Sequence, residues 1–355
     1  MRRRGCPVRS ELALPEILAG VIAGSLNAYV LFGGADFGGG VWDLLATGPR
    51  RDRQREVIRH AIGPIWEANH VWLILAIVLT FSCFPAVFAR LGTVLHIPLS
   101  LMLVGIVLRG SAFTFRTYDD QHDAVQRRWG RIFAGASMVT PVLLGVCVGA
   151  VASGHAGPVS AAGDFADRFV DPWLTPFSLA VGLMALALFA HLAAVFLTLE
   201  SDDPALIEDF RARALWSGAA LFLVAFGTLL IARERAPLMG VGLLVSRWSF
   251  PFHLATGLAA IAVLAALWWR RYHLARVAVG LQVSLIVWGW AVSQYPYLVP
   301  PDLSIRGAAA PAATLRLVLI TLGLGVVVLL PSLVYLFRVF KAAPSHSVRG
   351  PEGGH

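Results

Sequence analysis

The chain has 355 residues, of which 57% are hydrophobic and 14% are charged, and its formal net charge is +8. A soluble protein of this length carries about 25% charged residues, so the composition excludes a soluble globular class and predicts a polytopic membrane protein. The positive charge comes almost entirely from arginines scattered between apolar runs, and we expect no nucleic-acid partner. The three cysteines form no C-x-x-C pair, so we also expect no disulfide framework and no zinc site.

A helix needs roughly 20 apolar residues to cross a bilayer, and the sequence contains about nine such runs. They lie near 12–34, 66–89, 91–113, 131–153, 173–199, 214–232, 250–269, 273–294 and 315–340. The connections are short, so we predict one transmembrane domain over 12–340, an N-terminal arm over 1–11 and a disordered tail over 341–355. Arginine and lysine are more frequent in the loops on one side, which favours an outside N-terminus and a cytoplasmic C-terminus.

The first span ends in a glycine-rich segment that contains the acid Asp36. Glycines this dense indicate either backbone that leaves the regular helix or another helix lying very close. An ionisable group at membrane depth is costly, so each one is a functional hypothesis. Two interpretations of Asp36 are open: it pairs with Arg109 of the third span, or it lies in a water-filled path.

The second span begins with Gly63 and Pro64, which are typical of a helix start, followed by a polar cluster. Glu67 and His70 are three residues apart and share one helix face. A carboxyl and an imidazole in hydrogen-bond reach can hand a proton on, which makes the pair a candidate relay. The alternative is a carboxylate at a helix terminus that is solvated at the membrane interface, and both interpretations stay open.

Arg109 and Arg116 fall at the end of the third span, where they either serve the site or anchor the helix on the positive side of the membrane. His96, His191 and His253 lie on separate apolar spans, and each is single. Membrane haems of the b type are commonly held by two histidines on facing helices. We therefore interpret these histidines as interior side chains, and we expect no metal and no haem on this chain.

Several motifs, in this order, resemble subunit II of the cytochrome bd-type quinol oxidases. They are Gly34-Ala-Asp36-Phe-Gly38, the run from Gly63-Pro64 through Trp66-Glu67-Ala68-Asn69-His70-Val71-Trp72, Arg109-x-x-x-Phe113-x-x-Arg116, His191 to Glu200, and Tyr295-Pro296. The resemblance covers practically the whole chain from about residue 12 to 340. It implies an all-α fold of nine transmembrane helices in two four-helix bundles plus a peripheral helix.

The resemblance also implies a function and a partner. The complex of that family oxidises quinol and reduces O2 to water, taking protons from the cytoplasm in the bacterial inner membrane. Its haems b and d, or b-type variants, belong to subunit I, so this chain is expected to bind none of them. Some members have a small accessory subunit or hold a structural quinone in subunit II, and neither is decided by this sequence.

In the residues, the resemblance implies proton-path candidates Glu67, His70 and Asp36, with Trp66, Asn69, Trp72, Arg109 and Arg116 as structural or interface positions. Many family members carry a second acid three residues before the one that matches Asp36, and here that position is Gly33. A route through two acids is therefore in doubt, and more of it would fall on Glu67 and His70.

Two alternatives from other classes remain at this stage. A secondary transporter also builds its site from broken, glycine-interrupted helices with charges at the membrane midplane, although only the segment near 33–40 has that character here. An autonomous b-type cytochrome would use His96, His191 or His253 as haem ligands.

Overall fold

The computed structural model describes residues 13–62, 66–118, 123–157 and 163–341. The predicted N-terminal arm, and the predicted tail from residue 342 onward, lie outside this part of the chain. The described residues form thirteen helices and one two-stranded hairpin. The helices are α1 Leu14–Leu44, α2 Arg51–Ile62, α3 Trp66–Cys83, α4 Pro85–Val94, α5 His96–Tyr118, α6 Asp123–Ala152, α7 Phe165–Phe169, α8 Pro176–Leu197, α9 Pro204–Arg235, α10 Pro237–Leu244, α11 Ser249–Trp268, α12 Tyr272–Ser293 and α13 Ala312–Lys341, and the strands are β1 Tyr297–Val299 and β2 Leu303–Ser304.

Eight of the described helices are long and apolar enough to cross a membrane: α1, α5, α6, α8, α9, α11, α12 and α13. A ninth span results if α2 and the Glu67–Cys83 part of α3, which meet at an angle of 51°, count as one bent segment. By length and composition this agrees with the predicted number of about nine. The all-α prediction is confirmed.

The second predicted span, 66–89, is wrong as a single helix. α3 ends at Cys83, Phe84 leaves the helical region with φ −136° and ψ 62°, and Pro85 begins α4. Proline has no N–H to continue a helix and disfavours helical backbone in the residue before it, so the apolar run divides there. The sixth span differs at its start, because the Asp203 side chain accepts a hydrogen bond from Ala205 N and α9 begins at Pro204 rather than near residue 214.

The spanning helices form two groups of four. α1, α3, α5 and α6 pack as a row, with α1 and α6 at its centre. α8, α9, α11 and α12 close into a ring, and α8 joins the two groups by packing against both α1 and α6. α13 packs only lightly against α1 and α3, and Leu315 is the one buried residue among its described side chains, so α13 is the peripheral helix.

The glycine-rich segment of the first span is regular helix through Leu44, so the alternative of a close helix neighbour holds. A Cβ on Gly38 would lie 1.9 Å from the backbone O of Phe189 in α8, and a Cβ on Gly40 would lie 2.2 Å from Ser137 Oγ in α6. The glycines therefore let α1 sit directly on two neighbours, which small residues permit in lipid. The transporter alternative rested on a break in this segment, and there is none.

Candidate functional site

Asp36 is a buried carboxylate in the last third of α1, and 8% of its surface is exposed. Its Oδ2 accepts a hydrogen bond of 2.6 Å from Nδ2 of Asn69, which is buried in the second turn of the facing helix α3. A hydrogen bond to an ionised group is among the stronger ones in proteins. The contact between α1 and α3 thus brings the two sequence motifs together, and Asn69 holds the acid.

Arg109 lies on α5 with only 2% of its surface exposed. Arg109 and Asp36, which are both described residues, form no direct ion pair, so the pairing interpretation does not hold, although the charge of Asp36 acts on Arg109 through space. Its guanidinium instead stands over the rings of Phe37 and Phe133, 4.7 Å and 5.2 Å from their centroids. Neither Nε nor Nη2 of Arg109 has a hydrogen-bond partner within the described residues.

Glu67 and His70 occupy different environments on α3. The Glu67 side chain is exposed in the first turn, and the structure forms no hydrogen bond between it and His70 in the described part of the chain. His70 is half-buried, with its ring 5.8 Å from that of Tyr29 and 6.4 Å from that of Phe37. Asp36, Asn69, His70 and Arg109 therefore form one group between three helices, named here the Asp36 cluster, and Glu67 lies at its exposed margin.

The remaining candidates contribute less. Trp72 is partly buried and packs on the core that surrounds the Asp36 cluster. Trp66 and Arg116 lie in α3 and α5, but their side chains are outside what the structure describes. Their predicted roles stay predictions.

Tyr29 also contacts this cluster, and none of the sequence motifs includes it. It is 1% exposed, its ring contacts His70, and the charges of both Arg109 and Asp36 act on its hydroxyl. Helical spacing carried the signal, because Tyr29, Gly33 and Asp36 stand at i, i+4 and i+7 and share one face of α1. Phe37 and Phe133, which hold the guanidinium, could not be assigned that role from spacing alone.

A second polar group lies where α1 ends and α9 begins, and it is named here the Asp209 network. Nε and Nη2 of Arg50 donate to Oδ2 and Oδ1 of Asp209, with N to O distances of 2.8 Å and 2.6 Å. Gln54 also donates to Asp209 and accepts from Arg213, at 2.8 Å and 2.7 Å. The hydrogen bonds to Asp209 raise the pKa of Arg50 above its ordinary value, so the guanidinium stays charged in this partly exposed pair. The network ties the first helix group to the second.

The three histidines considered as haem ligands do not converge. His96 is the first residue of α5, and His253 lies in the first two turns of α11, a helix of the other group. His191 lies far along α8, buried against Gly218 of α9, with Nδ1 hydrogen-bonded to the carbonyl of Ala214. α8 and α11 start at the same end of the fold by the order of spans, so His191 and His253 are roughly 15 Å apart in depth. Among the described residues they do not fit a two-histidine haem site.

The fold and the site define a membrane protein with eight or nine spanning helices that buries a carboxylate, an amide and a guanidinium between its first helices. Buried ionisable groups of this kind mark ion or proton routes. The sequence pattern of the family described as cytochrome bd terminal oxidase subunit II matches residues 14–340, and the chain belongs to that family. The resemblance inferred from the motifs is thereby confirmed.

Individual relatives agree over most of the chain. It is 24% identical over 343 residues to the putative cytochrome bd menaquinol oxidase subunit II of Bacillus subtilis (strain 168), covering 93% of this chain and 96% of that protein. The cytochrome bd-I ubiquinol oxidase subunit 2 of Escherichia coli (strain K12) is 28% identical over 218 residues, which are 59% of this chain and 54% of that one. The structure of the bd oxidase from Geobacillus thermodenitrificans matches with a TM-score of 0.71 at 22% identity, covering 92% of this chain and 98% of that chain, which shows a shared fold.

Proposed function

We propose that this chain is the haem-free subunit II of a bd-type quinol oxidase in the bacterial cytoplasmic membrane. It pairs with a haem-bearing subunit I, and the complex oxidises quinol and reduces O2 to water. Family membership over residues 14–340 supports this assignment. The haems supply the oxygen chemistry in the partner, and the histidine positions of this chain, which do not converge, agree with that division.

The orientation belongs to the same proposal. Arg50 and helix α2 connect α1 to α3, and this connection carries five arginines between residues 50 and 59. Positively charged connections between spans stay in the cytoplasm. The N-terminus is therefore outside, the C-terminus is cytoplasmic, and Glu67 faces the cytoplasmic side, from which the protons are taken.

The role of this chain in the complex is to support assembly and to conduct protons from the cytoplasm toward the subunit interface. The observation that carries the proton role is the hydrogen bond from Asn69 to the buried carboxylate of Asp36. It fixes the acid beside the same two turns of α3 that hold the exposed Glu67 and the half-buried His70. A proton taken up by Glu67 has His70 and then Asp36 as the next groups that can accept and release it.

Replacing Glu67 with Gln in the complete oxidase tests this role. We expect slower turnover and slower proton uptake, with normal assembly and normal haem spectra, because the amide cannot carry the proton while its shape is conserved. Glu56→Gln on the exposed face of α2 is the matched control and should leave both rates unchanged. Unchanged turnover and proton uptake in Glu67→Gln would remove Glu67 from the path, and failed assembly would make its role structural.

A further inference from the structure

Tyr29 is a buried residue whose hydroxyl has no part in the proposed proton path from Glu67 to Asp36. It is 1% exposed and lies two turns before Asp36 on the same face of α1. Its ring rests against the imidazole of His70, at 5.8 Å between centroids. A buried phenol normally has a hydrogen-bond partner for its O–H. The question is therefore which group could accept or donate a hydrogen bond at the hydroxyl of Tyr29.

Gly33 is what allows the ring to lie there. A Cβ at position 33 would stand 2.9 Å from Cε2 of Tyr29, closer than real side chains approach. The ring therefore covers the α-carbon of Gly33 and fills the volume into which a side chain at that position would extend. Tyr29 and Gly33 form one packing unit on α1.

Tyr29 and Arg109 lie on the two sides of His70 and Phe37. The ring of His70 is 5.8 Å from that of Tyr29 and 6.4 Å from that of Phe37, and the guanidinium of Arg109 stands 4.7 Å from the centroid of Phe37. The charges of Arg109 and Asp36 act on Tyr29 without a direct ion pair between the two. Arg109 Nε and Nη2 have no partner in the described part of the chain, and unsatisfied buried donors carry a full desolvation cost. Because the carboxylate already balances the guanidinium, the acceptor that fits between them is neutral water rather than an anion.

We propose that bound water joins Arg109 to Asp36 and to the hydroxyl of Tyr29, and that Tyr29 is a relay residue of the proton path. This inference rests on the proposed function, since it extends the route beyond Asp36. The phenol accepts a proton on its oxygen from one water as it releases its own proton to the next, so its net protonation does not change. Arg109 is the positioning residue that orders the water.

Tyr29→Phe in the complete oxidase removes the hydroxyl and keeps the ring. We expect turnover to fall roughly tenfold, less than the hundredfold or more that a positioned proton donor contributes, because water can enter the vacated space. The ratio of turnover in H2O to that in D2O should rise, while haem content stays normal. Tyr335→Phe on the exposed α13 is the control and should change neither quantity.

A rescue experiment separates a relay from a merely structural ring. Tyr29→Ala opens the space beside Gly33, and adding Gly33→Asp places a carboxyl there. A proton-handling role predicts that the double variant recovers turnover relative to Tyr29→Ala alone. A structural role predicts that the double variant is as slow as Tyr29→Ala or slower, and that result would overturn the proposal.

The outcomes also distinguish this proposal from the function on which it rests. Suppose that Tyr29→Phe has normal turnover and a normal isotope ratio while Glu67→Gln is slow. That result would contradict the relay role of Tyr29 but leave the proposed function of the chain intact. Normal rates in both variants would remove the proton role of the chain as well. An experimental map that resolves water should show density within hydrogen-bond distance of Arg109 Nε and Nη2, whereas a direct Arg109–Asp36 ion pair would contradict the bridging water.

Discussion

The Asp36 cluster and the Asp209 network use the same kinds of side chain in opposite ways. In the Asp209 network, Asp209 accepts three hydrogen bonds of 2.6 Å to 2.8 Å from Arg50 and Gln54, at a partly exposed position. In the Asp36 cluster, the charges are buried, Asp36 accepts one hydrogen bond, and two donors of Arg109 have no partner within the described residues. A saturated, exposed group fits a connector between helices, whereas a buried group with open hydrogen-bonding capacity fits a place through which protons or water pass.

Among substitutions that test this difference between the two groups, Arg109→Met should have the largest effect on the stability of the complex. The substitution keeps much of the side-chain volume between Phe37 and Phe133 but leaves Asp36 without a balancing charge. A buried carboxylate without a compensating positive charge is costly, so the complex should lose thermal stability and haem content. Melting temperature and haem per complex measure this, and Arg233→Met at an exposed position of α9 is the control. A fully stable Arg109→Met complex would mean that the two charges do not depend on each other.

Asn69→Leu should have an intermediate effect. It removes the amide that donates to Asp36, and a hydrogen bond to a charged group contributes about 1.5–3 kcal/mol. We expect a lower melting temperature together with slower proton uptake, since the acid loses its fixed position. Gln282→Leu on α12 is a matched control, because this buried amide makes no hydrogen bond with the described residues. If both variants behave alike, the bond between Asn69 and Asp36 has no special role.

Asp209→Asn should have the smallest effect. The pairs of the Asp209 network are partly exposed, and such pairs contribute little and are screened by salt. Turnover and proton uptake should be unchanged, and any small loss of melting temperature should disappear at high ionic strength. A drop in turnover as large as that of Glu67→Gln would show that this network is more than a connector.

Local patterns in the sequence predict most of the helices and single out Asp36 as a candidate site residue. They do not predict which groups contact Asp36 and Arg109. Pro85 was a visible signal for the end of α3, and it was outweighed by the apolar run on both sides. The face shared by Tyr29, Gly33 and Asp36 was also visible as a helical spacing. That Arg109 stands between Phe37 and Phe133 depends on three helices meeting, and no spacing within one helix encodes it. For the same reason the ion pair with Asp36 was a reasonable but incorrect alternative.

The contact of Gly38 with the carbonyl of Phe189 has a consequence for how the subunit responds to its bilayer. Because position 38 admits no side chain, α1 can neither slide nor rotate against α8 without losing that fit. In a membrane of different hydrophobic thickness, helices adjust by tilting, and these two would tilt as one body. Asp36 would then keep its position relative to α8. A change of bilayer thickness should therefore change the tilt of the two helices before it changes the contacts of Asp36.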